Sequence, residues 1–259
     1  MLTSDAMPLG LRRQERQQAL GAETLRFREL IAKLGSGERT STGLTRAEAC
    51  EAMNQLLDGH VSPAQAAAFL IAHRLRRPRP CELAGLLDAY RQRGPTLPTT
   101  DRPVLSFGAP FDGRCRDAPL LPLTALLLNA AGLAVVLQGS QPMPVKYGAT
   151  QAELLEALEI SLAPLSWPRI QQLFLSEGVA LLHQARHFAA AEALIPIREQ
   201  IGKRPPIATL ELLWSCYGGT ALQVSGFVHA PTEQLAWDTW ALTGQRQAIT
   251  VKGLEGGVD

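Results

Sequence analysis

Hydrophobic residues recur at helical spacing through the first third of the chain. Over residues 25–34 apolar side chains repeat every three or four positions, which predicts an amphipathic helix. Thr45 and Glu48 then stand in capping-box spacing ahead of a second helical pattern. Ser62 followed by Pro63 is a second start signal, because proline is well tolerated at the first helical position.

A fourth helical pattern covers residues 81–94 and ends at a glycine. Four short helices with tight connections predict a small helical domain over residues 25–96. The polar stretch that precedes it, residues 1–24, is predicted to be an N-terminal arm.

The pattern changes after a proline-rich link. Residues 103–110 and 133–139 read as buried strands on either side of an apolar helix, and a strand–helix–strand unit of this length implies a parallel sheet. The run 188–202 is predicted to be one helix ending at Gly202. The expected fold is α/β: a small N-terminal helical domain, then a larger α/β domain over residues 103–259 with a mainly parallel sheet flanked by helices.

Composition narrows the classes of function. The 259 residues are 46% hydrophobic and 19% charged, and the formal net charge of +1 argues against a partner bound by overall electrostatics, although a local basic patch is compatible with it. The four cysteines are scattered without CxxC spacing, which argues against a zinc or redox motif. No apolar run approaches the roughly 20 residues of a membrane span, so a cytoplasmic protein with free thiols is expected.

Motifs along the chain then resemble one family. The run AAFLIAHRLRRPRPCELAGLLDAYR is followed by GAPFDG, LQG, LLEAL and PIR, in that order. This order resembles the anthranilate phosphoribosyltransferases of tryptophan biosynthesis, where GTGGDG and KHG stand in place of GAPFDG and LQG. The resemblance implies a glycosyltransferase that moves a phosphoribosyl or related sugar-phosphate group from a phosphoribosyl diphosphate-like donor to an aromatic or heteroaromatic acceptor. It also implies a homodimer formed through the helical domain, and a return to that domain by residues 166–178.

The donor site implied by the resemblance lies around the loop after the first strand. Its candidate phosphate-binding residues are Gly108, Asp112, Gly113, Arg114, Arg116, Gly139 and Lys146. The loop departs from the family at its centre, where Pro110 offers no N–H to a phosphate. Arginine could compensate through charge-assisted bidentate bonds, whereas the alternative is a pair of solvated surface arginines. Whether Phe111 and Met143 fill this space decides between an open and a closed anion pocket.

Fewer residues match the family at the positions that would bind the acceptor and the metal ion. Arg198 stands where the family uses an arginine to meet the carboxylate of the amine substrate, and His183 is a second acceptor-side candidate. The resemblance implies Mg²⁺, with Asp259 as a candidate ligand in a DGxDE-like stretch. Because the chain stops inside that stretch, a C-terminally truncated α/β domain is expected.

Two further hypotheses stay open. A non-catalytic relative could bind nucleic acid through a basic face made of Arg74, Arg76, Arg77 and Arg79, with affinity that falls steeply as salt is added. The structural alternative is that these cations only complement the dipole at a helix end. A structural or regulatory paralogue with neither activity is the third hypothesis.

Overall fold

The structure is a computed structural model that describes residues 21–37 and 40–258. Its first part contains the helices α1 Ala22–Gly35, α2 Arg46–Leu57, α3 Pro63–Arg76 and α4 Pro80–Arg93. Both predicted start signals are confirmed. The Thr45 side chain accepts the Glu48 amide while Glu48 bonds back to the Thr45 amide, and Ser62 accepts the Gln65 amide. Most of the predicted N-terminal arm lies outside the described residues.

A five-stranded sheet forms the centre of the second part. Its strands are β1 Val104–Gly108, β2 Ala134–Gly139, β3 Val179–His183, β4 Leu222–Phe227 and β5 Ala248–Lys252. They are ordered β3-β2-β1-β4-β5, and every neighbouring pair is parallel. The predicted fold class is therefore confirmed, and the carboxyl ends of all five strands meet at one edge of the sheet.

Eight helices accompany the sheet in the described part of the chain. They are α5 Leu121–Ala130, α6 Gln151–Ala157, α7 Trp167–Glu177, α8 Gln184–His187, α9 Ala189–Glu192, α10 Ile195–Ile201, α11 Ile207–Leu213 and α12 Ala230–Thr243. The single helix predicted over 188–202 is wrong, because α9 and α10 are separate. Pro196 lies in the first turn of α10, where its missing N–H costs no helical bond, and this is why the chain restarts there. The predicted end at Gly202 is confirmed, with the glycine in a left-handed cap.

The return of residues 166–178 to the helical domain stays a prediction. That segment contains α7, which packs mainly against β3 and reaches the Thr96 carbonyl oxygen through Gln171 at 3.0 Å. The helical domain is also contacted by α10, which meets α3, and by α11 and α12, which meet α4.

Three aromatic rings join the two parts of the molecule. Tyr90 at the end of α4 meets Phe188 and Trp214 edge-on, with ring centroids 5.2 Å and 5.4 Å away. Phe188 and Trp214 contact each other at 5.6 Å. All three are buried, so one apolar core runs from the helical domain into the sheet. None of the described helices combines the length and apolarity that crossing a bilayer requires.

Candidate functional site

The loop between β1 and α5 is held tightly against the rest of the protein. A Cβ added to Gly108 would lie 1.9 Å from the carbonyl oxygen of Leu212, so this glycine permits a close approach of two backbone segments. Gly113 has φ of +76° and faces the carbonyl of Gly148, where an added Cβ would lie 2.2 Å from the oxygen. Both glycines therefore serve close contacts inside the protein.

The amides of this loop are bonded to protein acceptors. The Phe111 amide donates to Glu211 Oε2 at 3.0 Å. The Gly113 amide donates to the Pro110 carbonyl at 3.0 Å, and the Arg114 amide donates to the Ala149 carbonyl at 3.0 Å. A phosphate bound at this loop would have to displace these acceptors, the Glu211 carboxylate first.

A buried ion-pair cluster lies beside the loop. Arg198, only 3% exposed, pairs through Nη1 with Glu211 Oε1 at 2.5 Å and lies 3.4 Å through Nη2 from Asp112 Oδ2. Arg204 Nε approaches the same Asp112 oxygen at 3.0 Å. Burial by itself lowers the pKa of Arg198, but Glu211 and Asp112 raise it, so the guanidinium stays charged. The predicted residues Asp112 and Arg198 are thus brought together, paired with each other.

Apolar side chains fill the remaining space around the loop. Phe111 and Met143 are 1% and 2% exposed. A void of about 20 Å³ remains beside Pro110 and Gly113, and one of about 10 Å³ remains beside Met143 and Arg198. Small-molecule sites usually offer roughly 300–1,000 Å³. The voids around Pro110, Gly113, Met143 and Arg198 are far smaller than that, whereas the predicted donor residues Arg116 and Lys146 line a neighbouring cleft.

An open cleft of about 990 Å³ lies next to this closed region. It is lined by residues from the loops after β1, β2, β4 and β5, at the carboxyl edge of the sheet where ligands of parallel α/β sheets commonly bind. Its charged and titratable lining residues are Arg74, Cys115, Arg116, Lys146, Arg204, His229 and Glu255. Four permanent cations face one carboxylate, which favours an anionic ligand.

Lys146 and Glu255 form the floor of this basic cleft. Lys146 Nζ lies 3.2 Å from Glu255 Oε2 and 3.4 Å from the Gly113 carbonyl oxygen, while Arg116 Nε lies 3.9 Å from Glu255 Oε1. Burial raises the pKa of the Glu255 carboxyl, but the Cys115 amide and Lys146 outweigh it and lower the pKa below its ordinary value. Arg116 is 78% exposed at its side chain and free to turn toward a ligand.

The other predicted donor and acceptor residues have mainly structural surroundings. Arg114 is 6% exposed and lies 3.7 Å from Asp117. Gly139 ends β2, and an added Cβ there would meet Gln151 Cβ at 3.9 Å, an ordinary contact. His183 ends β3, where its backbone amide donates to His187 Nδ1 at 3.0 Å. Burial lowers the pKa of His183, as does the neighbouring His187.

The arginine run at the end of α3 divides into two pairs. Arg76 and Arg79 both pair with Glu82, a fully buried carboxylate that also contacts His73 Nε2 at 3.2 Å. Arg74 and Arg77 are exposed, and Arg74 lines the basic cleft, where it donates to the Arg204 carbonyl. Half of the predicted nucleic-acid face therefore stabilises the helical domain.

Comparison with known proteins agrees with this architecture. Residues 28–94 match the helical bundle domain of a glycosyl transferase family. An anthranilate phosphoribosyltransferase of Anaeromyxobacter sp. (strain K) is 29% identical over 229 residues, which are 88% of this chain and 65% of that protein. The crystal structure of anthranilate phosphoribosyltransferase from Thermus thermophilus matches with a TM-score of 0.75 at 29% identity, over 89% of this chain and 67% of that one.

The chain belongs to the anthranilate phosphoribosyltransferase family. It spans slightly less than two thirds of the Anaeromyxobacter relative. The Saccharomyces cerevisiae enzyme in complex with PRPP and Mg shares the fold, with a TM-score of 0.74 at 13% identity, over 90% of this chain and 67% of that one.

Among the described residues, no side chains are arranged as a ligand set for the Mg²⁺ that the family resemblance implies. No group of three or more His, Cys, Asp or Glu side chains there is arranged to hold a metal ion. Asp112 faces Arg198 and Arg204, and Glu255 faces Lys146, so the carboxylates nearest the cleft are already neutralised. Asp259, the predicted ligand, lies outside the described residues.

Sequence reasoning missed two residues of the buried ion-pair cluster, Glu211 and Arg204. Glu211 stands inside the apolar run ATLELLW and is 1% exposed. A lone carboxylate in a buried helix needs a cation, and this signal could have linked it to Arg198. Arg204 directly precedes the Pro205–Pro206 breaker, and nothing in its local pattern indicates a partner as distant as Asp112.

Proposed function

We propose that this chain binds a phosphoribosyl or related sugar phosphate in the basic cleft and does not transfer it to anthranilate. The ligand class follows from the family, whose yeast member is described in complex with PRPP and Mg. The altered donor site is this chain's own feature.

The observation that carries the proposal is the position of Glu211. One carboxylate oxygen accepts the loop amide of Phe111 and the other pairs with Arg198. The Glu211 carboxylate is thus bonded to both groups that would meet a substrate. These are the loop amide, which would meet a donor phosphate, and the arginine, which would meet an acceptor carboxylate. Because Glu211 is 1% exposed, an incoming ligand would have to break a buried ion pair to enter.

Electrostatics favours the adjacent cleft for the phosphate groups. Lys146 and Arg116 both approach Glu255, while Arg74 donates to the Arg204 carbonyl, so four cations and one carboxylate are the charged lining residues of the cleft in the described chain. Hydrogen bonds to charged groups contribute about 1.5–3 kcal/mol each, so two well-placed contacts are enough for measurable binding. The proposed binding requires no metal ion. Recognition of an aromatic acceptor by this chain stays a prediction.

Calorimetry with phosphoribosyl diphosphate, with and without Mg²⁺, tests the proposal. We expect binding in both conditions, weakened about tenfold or more by Lys146→Gln because one charged contact is lost. Arg169→Gln is the matched control, since Arg169 is exposed on α7 and contacts Gln172. Wild-type protein that binds nothing, or binding that Lys146→Gln leaves unchanged, would refute the assignment to this cleft.

Nucleic-acid binding is a second candidate, favoured by the continuity of the exposed cations. Arg74 lies at the cleft, Arg77 follows it on the surface, and Arg116 is largely exposed. A phosphodiester backbone could follow this line. Its affinity would fall steeply with added salt.

A titration of single-stranded DNA at several salt concentrations separates the two candidates. The Arg74→Gln/Arg77→Gln double variant should lower both the affinity and the salt slope if nucleic acid binds there. Unchanged affinity in this double variant would eliminate the candidate. Homodimer formation through the helical domain also stays a prediction.

A further inference from the structure

A second cavity lies at the opposite edge of the sheet from the basic cleft. It has a volume of about 620 Å³ and is lined by the end of α4, the segment 213–221, Gln223 near the start of β4 and the turn between α12 and β5. Since β4 begins here, the cavity is at the amino edge of the parallel strands. Its volume falls within the range of small-molecule sites.

Two arginines and no acidic residue line this cavity. Arg91 is 42% exposed at its side chain, 4.0 Å from Asp88 Oδ1 and 3.5 Å from the Thr243 carbonyl oxygen. Arg246 is exposed on the facing turn before β5. The Asp88 carboxylate is shared with Arg46, which it contacts at 2.6 Å, so positive charge predominates at the cavity.

Polar groups on the wall also lack partners. Gln223 is 2% exposed, and its side-chain nitrogen Nε2 has no hydrogen-bond partner among the described residues. A buried side-chain amide without a partner costs free energy, and a ligand oxygen would relieve that cost. The backbone amides of Gly219 and Thr220 are exposed at the same wall, where a ligand could accept from them. Trp214 and Tyr217 add aromatic surface to the same wall.

We propose that this cavity is a second binding site, for a small organic anion whose carboxylate or phosphate monoester lies between Arg91 and Arg246. Gln223 and the 219–220 amides supply the hydrogen bonds to its oxygens. Arginine suits this role because its planar fork matches both oxyanions. The site does not depend on the basic cleft, so it stands or falls separately from the proposed function.

Nuclear magnetic resonance of the full chain tests the site, with phenyl phosphate and benzoate as probes. The Gln223 side-chain resonances are assigned by their absence in Gln223→Leu. We expect at least one probe to shift them saturably, and Arg246→Gln to weaken that binding about tenfold or more. Arg169→Gln, which removes the same charge from an exposed position on α7, should leave the affinity unchanged.

The two probes also identify the oxyanion. A response to phenyl phosphate alone supports a phosphate monoester site, and a response to benzoate supports a carboxylate site. The proposal is overturned if neither probe shifts the Gln223 resonances at millimolar concentration. It is also overturned if Lys146→Gln abolishes the binding while Arg246→Gln does not, because the probe would then sit in the basic cleft.

Discussion

Glu211 accepts the backbone amide of Phe111 at 3.0 Å and holds Arg198 through its other carboxylate oxygen. The buried carboxylate therefore ties the loop after β1 to Arg198 of α10 by hydrogen bonding and by charge. Arg198 keeps the position that the family resemblance gives it, but its partner is internal.

Glu211→Gln should destabilise the fold markedly. The amide can still accept the Phe111 N–H, but the buried Arg198 charge loses its closest partner and keeps only Asp112 at 3.4 Å. Breaking a buried pair in this way costs about 3 kcal/mol or more. Urea denaturation measures the loss, provided that the slope of the unfolding free energy against urea concentration is the same in the variant and the wild type. Glu156→Gln, at an exposed position, should change stability by less than about 0.5 kcal/mol.

Gly108→Ala should be much more disruptive than Gly139→Ala, although both glycines end buried strands. At Gly108 the new methyl would lie 1.9 Å from a backbone carbonyl, whereas at Gly139 its nearest contact is 3.9 Å away. We expect a loss of about 3 kcal/mol or more for the first and a small effect for the second. Thermal or urea unfolding of the two variants checks this. Equal stabilities would mean that the β1 loop does not approach Leu212 as described.

The helical domain should lose stability in acid through Glu82. Burial alone raises the pKa of this carboxyl, but the hydrogen bonds from His73 and from the backbone amides of Arg79 and Leu44 bring it from 4.5 to about 2. A depressed pKa contributes stability that is complete above about pH 4.5 and is lost as the pH falls toward 2. The contribution at neutral pH is about 3 kcal/mol.

Glu82→Gln provides the comparison for that pH dependence. Unfolding free energies measured between pH 5 and about pH 2 should fall less steeply in this variant than in the wild type, because one titrating group has been removed. Parallel curves would show that Glu82 does not titrate in this range. The variant should also be less stable at neutral pH, since Arg76 and Arg79 lose their buried partner.

The sequence predicts the scaffold better than it predicts the site. The caps at Thr45 and Ser62 and the parallel strand–helix–strand unit depend on local spacing, and the structure confirms them. The break before α10 was missed because alanine-rich periodicity masked the effect of Pro196. Pairings such as Arg204 with Asp112 join residues 92 positions apart, and one-dimensional patterns carry no signal for them.

The arginine run shows the same limit within a short segment. Arg74, Arg76, Arg77 and Arg79 read as one basic face, yet Arg76 and Arg79 pair with the buried Glu82, whereas Arg74 and Arg77 are exposed without pairing to it. Arg79 keeps about half of its side chain exposed while it makes this contact. The left-handed backbone at Arg77, with φ of 61°, ends α3 and turns the chain within this run, and composition alone does not reveal that turn.

A transfer assay tests the central claim most directly. Anthranilate, phosphoribosyl diphosphate and Mg²⁺ are incubated with protein that calorimetry has already shown to bind the donor, and anthranilate is followed by its fluorescence. The Thermus thermophilus relative is the positive control. A donor pocket closed by Phe111, Met143 and Glu211 predicts that anthranilate disappears no faster than in buffer, while phosphoribosyl diphosphate still binds. Catalytic consumption of anthranilate by the wild-type chain would contradict the account.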